Sequence, residues 1–404
     1  MVASKSTSSK SLKSKEVKFS DLRTLLVQLK LDGTDLARIT HRLQSATTET
    51  QRLYRSDLDP FEGFRESDVK WDIPFPPPRV SKFTFIDLFA GIGGMRAAFQ
   101  SLGGRCVFSS EGDQSAKKTY FENFGEVPFG DITKIGTSEV PKHEILIAGF
   151  PCQAFSIAGA RGGFEDTRGT LFFDVARIIA DKRPQAFLLE NVKGLANHDR
   201  GRTLETILNT LRNDLGYNVP DPQILNAKFY GVPQNRERIF IVGFKSKSAY
   251  EKFVYPKSDV TTCTISDILE EREVSVKYYL STQYLKTLQE HRRRHEEKGN
   301  GFGYEIIPND GISNAIVVGG MGRERNLVID GRLSTFKPIT NIKGSVNRKG
   351  IRKMTPREWA RLQGFPDHFV IPVSDAQAYK QFGNSVAVPV IAAVGKQIIK
   401  ALEI

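Results

Sequence analysis

Short apolar runs recur along the first part of the chain after Lys82, and each ends in a polar residue or a glycine. The runs are "KFTFIDLFAGIGG", "CVFSSE", "EILIAGF" and "AFLLENV", with helical or loop sequence between them. Strands that are buried on both faces have this continuous apolar pattern, and their alternation with helices predicts a doubly wound, mostly parallel α/β sheet. We therefore expect bound ligands at the carboxyl ends of these strands.

The apolar pattern then weakens and returns near the C-terminus. "ILNAKFYGVPQNRERIFIVGF" predicts two strands joined by a turn at Gly231-Val232-Pro233, whereas the stretch from Lys245 to Arg352 is rich in glycine and arginine. In "AVPVIAAVGKQIIKAL", Val390, Val394, Ile398 and Leu402 follow i, i+4 spacing, which predicts a helix packed on the sheet. The predicted organisation is an N-terminal extension over 1–80, a catalytic domain over 81–250, a smaller inserted domain over 251–350 and a C-terminal return over 351–404.

The N-terminal extension has three parts. Residues 1–20 are rich in Ser and Lys and predict a mobile basic tail. Residues 21–43 predict two short amphipathic helices around Asp32-Gly33, which resemble a helix-turn-helix only loosely. A packing role for these helices is the favoured interpretation, and DNA binding is the alternative. The cluster from Pro74 to Pro78 predicts a linker.

Charge and cysteine usage narrow the class of protein. A net charge of +12 and a pI near 9.4 favour a polyanionic partner, either nucleic acid or an acidic membrane surface. The three cysteines form no CxxC pair, so neither a disulfide framework nor a metal site is predicted. No apolar run approaches the length of a membrane span, and the N-terminus lacks the apolar core of a signal peptide, so we expect a reduced, cytoplasmic protein without membrane contact.

A Gly-rich turn follows the first predicted strand. Phe89 to Gly94 lead into a helix, and the glycines permit a tight turn and close approach of backbone to a ligand. Glu111 ends the next strand, where a carboxylate can bind both hydroxyls of a ribose. The pattern predicts a nucleoside-type cofactor, with a surface salt bridge as the alternative for Glu111.

Five further polar side chains lie on later predicted strands or directly after them. Cys152 in "GFPCQAFSIAG" is flanked by Pro151 and Gln153, which is unlike a buried structural cysteine, and Glu190-Asn191 end the next strand. A thiol beside a carboxyl group suits nucleophilic attack on an electron-poor ring. Arg236 and Arg238 alternate on a predicted strand and should point the same way, which suits anchoring of a phosphate or carboxylate.

These residues resemble the DNA (cytosine-5) methyltransferases. The matching segments run in that family's order from about Lys82 to the C-terminus: "DLFAGIGG", "SSEGD", "GDIT", "GFPCQAFSIAG", "RGTLFF", "LLENVKGL", "GVPQNRERIFIVGF", "TPREWARLQGFP" and "QFGNSVAVPV". The resemblance implies the S-adenosylmethionine-dependent methyltransferase fold, S-adenosylmethionine as cofactor, and a target-recognition domain across a DNA cleft.

The resemblance also implies roles for individual residues. Cys152 would attack C6 of a flipped cytosine and Glu190 would bind N3 and the exocyclic amine, so that C5 accepts the methyl group. Arg238 would contact the flipped nucleotide, Arg236 would support the catalytic site, and Asn191 would hold the pocket. The implied cofactor contacts are Phe89, Gly91, Gly93, Gly94, Glu111, Asp131, Leu171, Asn384 and Val386.

The resemblance implies specific cofactor contacts for Asp131 and Val386, and the chain departs from the family pattern at Gly112. Asp131 is expected to face the adenine amine, and Val386 to contact the cofactor through its backbone. The family commonly has Trp or another large apolar residue after the ribose-binding Glu, whereas this chain has Gly112. The missing stacking surface predicts weaker cofactor binding or acceptance of bulkier analogues.

The inserted domain resembles those of bacterial modification methylases for CCGG. Arginine reads guanine through O6 and N7, which suits a site of G and C alone. Expected DNA contacts are Gln153, Ser156, Arg323, Arg325 and Arg332, although each arginine could instead contact phosphate. The inner cytosine is the expected target.

The predicted protein is a monomer of a restriction-modification system. It acts on double-stranded DNA in the bacterial cytoplasm, associated with the nucleoid, beside a restriction endonuclease of the same specificity. Two alternatives remain at this stage. One is a tRNA cytosine-5 methyltransferase, and the other is a DNA-binding autoregulator that acts through the N-terminal helices.

Overall fold

A six-stranded mixed sheet forms the centre of the protein. The computed structural model describes residues 17–45, 48–61, 64, 66–151, 171–258, 263–301, 303–319, 323–337 and 344–404. The sheet strands are β1 (Phe83–Leu88), β2 (Gly104–Ser110), β3 (Ile145–Gly149), β4 (Ala186–Val192), β5 (Gln223–Asn226) and β6 (Glu237–Phe244), in the order β2-β1-β3-β4-β6-β5. Strands β1 to β4 are parallel, and β6 runs antiparallel to both β4 and β5.

The parallel register brings the carboxyl ends of β3 and β4 together. Gly149 pairs with Glu190, so the residues after each strand emerge at the same edge of the sheet. Strand β3 consists of apolar residues and a terminal glycine, and β1 is apolar apart from Thr84 and the buried Asp87, since helices cover both faces of the sheet. The predicted doubly wound α/β class is confirmed.

Helices pack on both faces of the sheet. The helices after β1 include α1 (Gly94–Ser101), α2 (Gln114–Phe124), α3 (Leu171–Lys182), α4 (Arg202–Asn209), α5 (Pro356–Leu362), α6 (Asp375–Asn384) and α7 (Val388–Leu402), of which α5 and α6 belong to a separate apolar cluster shared with the inserted region. Val175 and Ile179 of α3 join the apolar core on one face, and Phe99 of α1 and Val394 of α7 join the core on the other. The C-terminal helix thus packs on the sheet as its spacing predicted.

The N-terminal extension packs against the catalytic domain and has a small apolar core of its own. Its helices are Phe19–Gln28, Gly33–Leu43 and Thr48–Leu53, and the short strands Val17–Lys18 and Val69–Lys70 pair in parallel. The Asp32 side chain accepts bonds from the N–H groups of Thr34 and Asp35 and so begins the second helix.

Contacts with the catalytic domain fix this extension. The hydroxyl of Tyr54 donates to the carbonyl of Val107 on the edge strand β2, and the Gln44 amide donates to the carbonyl of Phe124. The proline segment is also held, because Phe75 packs on Phe124 and the Phe75 N–H donates to the carbonyl of Asn123. The expectation of a linker at Pro74 to Pro78 is therefore corrected to a packed segment.

The inserted region joins the C-terminal return through short strands and a shared core. Strand Leu327–Ile329 pairs antiparallel with Ile351–Lys353, and Ser313–Asn314 pairs in parallel with Gln234–Asn235. Trp359 of α5 is buried in the apolar cluster that holds residues of both segments. The remaining helices are Lys247–Lys252 and Thr282–Glu296.

The stretch Asp375–Leu402 is long and apolar enough by composition to cross a membrane, which the sequence pattern did not reveal. It consists of two helices, α6 and α7, separated at Ser385–Ala387. Val390, Val394 and Ile398 are buried in the core beside the sheet. The apolar character of the stretch thus has a structural reason within the fold.

Candidate active site

The Gly-rich turn after β1 is shaped by positive φ angles. Phe89, Gly91 and Gly93 have φ values of 56°, 55° and 85°. A Cβ on Gly93 would lie 2.2 Å from the Phe124 ring, and a Cβ on Gly94 would lie 2.9 Å from Ser385 and Val386 side-chain atoms. Glycine is required here because helix α1 begins in direct contact with its neighbours.

Glu111 is anchored to this turn. Its Oε2 accepts a hydrogen bond from the Gly91 N–H at 2.7 Å, and its Oε1 accepts one from the Asp113 N–H at 2.7 Å. The carboxylate is therefore oriented by backbone on both sides, and within the part of the chain that the structure describes it forms no salt bridge. Each oxygen retains a second lone pair for a ligand hydroxyl.

A cavity of about 580 Å³ opens at this edge of the sheet. The Gly-rich turn and Glu111 form one end, the ends of β3 and β4 form another, and the residues from Gly383 to Val386 close a third side. The volume falls in the range of small-molecule sites. A cradle of backbone N–H groups beside an oriented carboxylate fits a nucleoside cofactor.

Glu190 brings a buried carboxyl group into the same cavity. The residue is 8% exposed, and its Oε1 lies 3.1 Å from Nε of Arg238. Burial raises the pKa of Glu190, and the nearby Arg238 and Arg236 oppose that rise without reversing it. A carboxyl group with a raised pKa retains its proton to higher pH and is suited to donate to a ligand nitrogen.

Asn191 lies beside Glu190, and its side chain forms hydrogen bonds with backbone groups. Its Nδ2 donates to the carbonyl of Phe150 at 2.8 Å, and its Oδ1 accepts from the Val192 N–H. The amide therefore joins the end of β4 to the segment after β3. Pro151, which directly precedes Cys152, lines the cavity.

Arg236 differs from the expectation of an anion anchor. Its side chain is 3% exposed and donates to the carbonyls of Ile316 (2.9 Å), Gly383 (3.3 Å) and Ser385 (2.5 Å). Burial and the neighbouring Arg238 lower the pKa of Arg236 to about 9, so the group is still charged at neutral pH. β6 begins only at Glu237, so the two arginines do not share a regular strand, and the Nη1 and Nη2 groups of Arg236 bind backbone carbonyls.

Ten of the expected catalytic and cofactor residues line this cavity. They are Phe89, Gly91, Gly94, Glu111, Glu190, Asn191, Arg236, Arg238, Asn384 and Val386. Gly93 faces Phe124, Leu171 begins α3 outside the cavity lining, and Asp131 caps the turn Ile132–Lys134 by accepting from Thr133. Cys152, Gln153 and Ser156 lie outside the residues that the structure describes.

The three candidate base-reading arginines have different surroundings. Arg323 and Arg325 are exposed, and Arg323 lies over the ring of Tyr379 at 5.3 Å. Arg332 binds both oxygens of Asp330 at 2.8 Å and also donates to the carbonyls of Glu270 and Glu271. The guanidinium of Arg332 therefore already donates hydrogen bonds to groups of the protein, which makes it a weaker candidate for reading guanine than Arg323 or Arg325.

Two glutamines beside the cavity were not singled out from the sequence. Gln234 and Gln363 are both fully buried and join backbone groups of separate segments. Gln234 belongs to the "QNRER" segment that was considered for its arginines alone. No periodic or compositional signal marks either residue, because their partners are 19 to 129 positions away in the chain.

Comparison with known proteins agrees with this geometry. Residues 83–400 match the family of C-5 cytosine-specific DNA methylases. The chain is 70% identical over 323 residues to the type II methyltransferase M.HpaII of Haemophilus parainfluenzae, a match that covers 80% of this chain and 90% of that protein. It is 49% identical to the type II methyltransferase M1.ScrFI of Lactococcus lactis subsp. cremoris, with 82% and 81% covered.

A solved structure shares the fold. The methyltransferase EhMeth of Entamoeba histolytica superimposes with a TM-score of 0.61 at 19% identity, over 79% of this chain and 98% of that one. At this identity the likeness concerns the fold alone. The family match and the curated relatives decide membership: the chain belongs to the C-5 cytosine-specific DNA methylases.

Proposed function

We propose that this protein is a type II modification methylase that transfers a methyl group from S-adenosylmethionine to C5 of the inner cytosine of CCGG in double-stranded DNA. The observation that carries the proposal is the shared cavity, in which the buried carboxyl group of Glu190 and the oriented carboxylate of Glu111 line one space. A nucleoside cofactor bound by Glu111 and a base protonated by Glu190 would thus meet at the same edge of the sheet.

In the proposed mechanism, the Cys152 thiolate forms a bond between Sγ and C6 of the flipped cytosine. The C5–C6 double bond opens as Glu190 donates its proton toward N3, and C5 becomes nucleophilic. When bound, S-adenosylmethionine supplies the electrophilic methyl group. A water molecule then takes the C5 proton, the C5–C6 double bond forms again as the C6–Sγ bond breaks, and N3 returns its proton to Glu190, so that the Cys152 thiolate is regenerated.

The remaining residues bind and position. Arg238 holds the carboxyl group of Glu190, and Asn191 fixes the end of β4 to the carbonyl of Phe150. Glu111 would bind the cofactor ribose, while the turn from Phe89 to Gly94 and the residues Asn384 and Val386 would enclose the rest. A cytosine within a duplex is inaccessible, so the base must flip into the cavity.

The proposed specificity rests on the inserted domain. Its segments "AIVVGGMGRERNLVID" and "TNIKGSVNRKGIRKMTPREWARLQGFP" resemble those of modification methylases for CCGG. The exposed Arg323 and Arg325 are the preferred candidates for reading guanine, in view of the engaged guanidinium of Arg332. The proposal includes a monomer that works beside a restriction endonuclease of the same specificity in the bacterial cytoplasm.

The two alternatives are not favoured. A tRNA methyltransferase has less support than a DNA methylase, given 70% identity to a type II methyltransferase. An autoregulator would need the second N-terminal helix in a DNA groove, yet Ala37, Ile39, His41 and Leu43 of that helix are buried against the protein.

Methyl transfer to four matched duplexes tests the proposal. One carries unmodified CCGG, the second 5-methylcytosine at the inner position, the third 5-methylcytosine at the outer position, and the fourth a scrambled site. With radiolabelled S-adenosylmethionine, the unmodified and outer-methylated duplexes should accept label, and the other two should not. Label in the inner-methylated duplex would contradict the assigned base, and equal label in the scrambled duplex would contradict the specificity.

A further inference from the structure

A buried polar network connects the inserted domain to the cofactor side of the cavity. Gln234 and Gln363 are 0% exposed, and Gln234 Nε2 lies 3.3 Å from Gln363 Oε1. Each amide also binds backbone of a different segment, so the pair lies at a junction of several chain regions.

The first side of the network holds a segment of the inserted domain. The Ile316 N–H donates to Oε1 of Gln234 at 3.1 Å, and the Ile316 carbonyl accepts from Arg236 at 2.9 Å. The neighbouring strand Ser313–Asn314 pairs with Gln234–Asn235. Both polar groups of Ile316 are thus bound by side chains of the catalytic domain.

This segment leads directly to the proposed DNA-facing residues. Ile316 is buried, whereas Val317 and Val318 are 46% and 45% exposed, and the chain continues toward the exposed Arg323. The position of Ile316 therefore determines where the exposed residues begin.

The second side of the network holds the wall of the cofactor cavity. Gln363 Nε2 donates to the carbonyls of Phe382 at 2.7 Å and Ser385 at 3.2 Å. Asn384, Ser385 and Val386 line the cavity. Arg236 also donates to the carbonyls of Gly383 and Ser385, so the same wall is held from two side chains.

The two sides are in van der Waals contact as well. A Cβ on Gly383 would lie 2.9 Å from Cγ2 of Val318 and 3.1 Å from the Val318 nitrogen. The cofactor wall and the recognition segment therefore cannot shift independently. A displacement on one side changes hydrogen-bond geometry on the other, and the two amides are 0% exposed, so a lost partner is costly.

We propose that Gln234 and Gln363 are positioning residues that couple occupancy of the cofactor cavity to the seating of the DNA-recognition segment 313–318. The inference rests on the proposed cofactor and DNA sites. Binding of a nucleoside cofactor against Asn384 to Val386 restrains the Ser385 carbonyl that Gln363 contacts, and Gln234 transmits this restraint to Ile316. Coupling of this kind is reciprocal, so cognate DNA must tighten cofactor binding by the same factor.

The test is the factor by which S-adenosylhomocysteine changes the affinity for a CCGG duplex. The factor is the Kd of a CCGG duplex without S-adenosylhomocysteine divided by its Kd at saturating S-adenosylhomocysteine, a non-reactive product. Wild type should give about 5- to 150-fold, the usual range for coupled sites. Gln363→Met and Gln234→Met keep side-chain size but remove the amide, and each should bring the factor to within about threefold of one.

Gln44→Met is the matched control. Gln44 is also a buried amide that joins separate chain regions, through Phe124 and Arg96, but it contacts neither the recognition segment nor the cofactor wall. This variant should keep the wild-type factor even where its stability falls. The Kd of S-adenosylhomocysteine without DNA should also stay at the wild-type value in Gln44→Met.

Other outcomes are separable. A uniform loss of both affinities with an unchanged factor would show that the glutamines only maintain the fold, and it would overturn the proposal. A wild-type factor of one would overturn it too. Failure of wild type to bind S-adenosylhomocysteine, or to prefer CCGG over a scrambled duplex, would instead count against the proposed function.

Discussion

Nε of Arg238 lies 3.1 Å from Oε1 of Glu190, inside a cavity where the carboxyl group is almost fully shielded from water. The cation limits the effect of burial on the carboxyl group but does not cancel it, and the pKa of Glu190 remains raised. The pair therefore presents an acid that is oriented by a permanent charge. This arrangement suits proton donation to a ring nitrogen.

Replacement of Glu190 by Gln should lower kcat by about 10²–10⁴-fold, because the amide retains shape but donates no acidic proton. The wild-type rate should fall as pH rises through the raised pKa of Glu190, since the protonated form is then lost. Gln does not titrate, so the variant should lack this alkaline decline. Steady-state methylation across pH measures both effects.

Glu237→Gln is the control for that experiment. Glu237 lies on the same strand as Arg238 but pairs with Lys193 at the surface. Its removal should leave the pH profile unchanged. Wild-type turnover in Glu190→Gln would contradict the assignment of Glu190 as the acid.

Replacement of Gly112 by Trp should tighten cofactor binding. Gly112 is exposed between Glu111 and Asp113, its φ is not in the left-handed region, and a Cβ there would meet no atom within 4 Å. An aromatic ring beside a bound adenine contributes about 1–2 kcal/mol, or about five- to thirtyfold in Kd. Isothermal titration with S-adenosylhomocysteine gives the value directly.

A tryptophan at Gly136 serves as the comparison, because Gly136 is exposed, has ordinary φ and does not line the cavity. It should leave the Kd unchanged. If Gly112→Trp also leaves the Kd unchanged, the absence of an aromatic ring at position 112 does not weaken cofactor binding.

The buried cluster between the N-terminal extension and helix α1 should make stability depend on acid pH. Oε1 of Glu126 lies 2.8 Å from Arg96 and 2.9 Å from Nε2 of His41. Burial acts to raise the pKa of Glu126, but Arg96 and His41 outweigh it and lower the pKa to about 2. Because the pKa of Glu126 is lower in the folded protein, its ionisation stabilises the fold at pH values above the unfolded pKa near 4.5. This stabilisation is lost as the pH falls toward 2.

Glu126→Gln should therefore reduce the free energy of unfolding at pH 7 by about 3–5 kcal/mol, the cost of breaking a buried ion pair. The difference from wild type should narrow as pH falls below about 4.5. Urea denaturation at a series of pH values measures it. Glu139→Gln, which removes a half-exposed partner of Arg38, should have little effect. An equal loss in both variants would disprove the special role of the buried cluster.

Removal of residues 1–81 should abolish soluble expression, whereas removal of residues 1–16 should not. The larger deletion uncovers the edge strand β2 and the apolar side chains of Phe121 and Phe124 that the extension covers. Gel filtration and circular dichroism of both truncations test this. A folded, monomeric protein from the larger deletion would show that the extension is dispensable for the fold.

Strand positions and the site edge were predictable because buried parallel strands carry continuous apolar runs. Glu111 and Glu190 follow such runs directly, so their meeting at one edge follows from the sheet geometry. The role of Arg236 was not predictable, since its partners are carbonyls that any sequence could supply. A packing role for the N-terminal helices was the favoured interpretation, but their individual partners were not predictable, because residues such as His41 and Glu126 lie far apart in sequence.

The most direct test of the central claim is base-resolution methylation sequencing of plasmid DNA from a methylation-free host that expresses this chain, beside a host that expresses Cys152→Ala. We expect 5-methylcytosine at the inner position of every CCGG site in the first DNA and none in the second. Methylation that persists with Cys152→Ala, or the absence of 5-methylcytosine from DNA of the wild-type host, would contradict it.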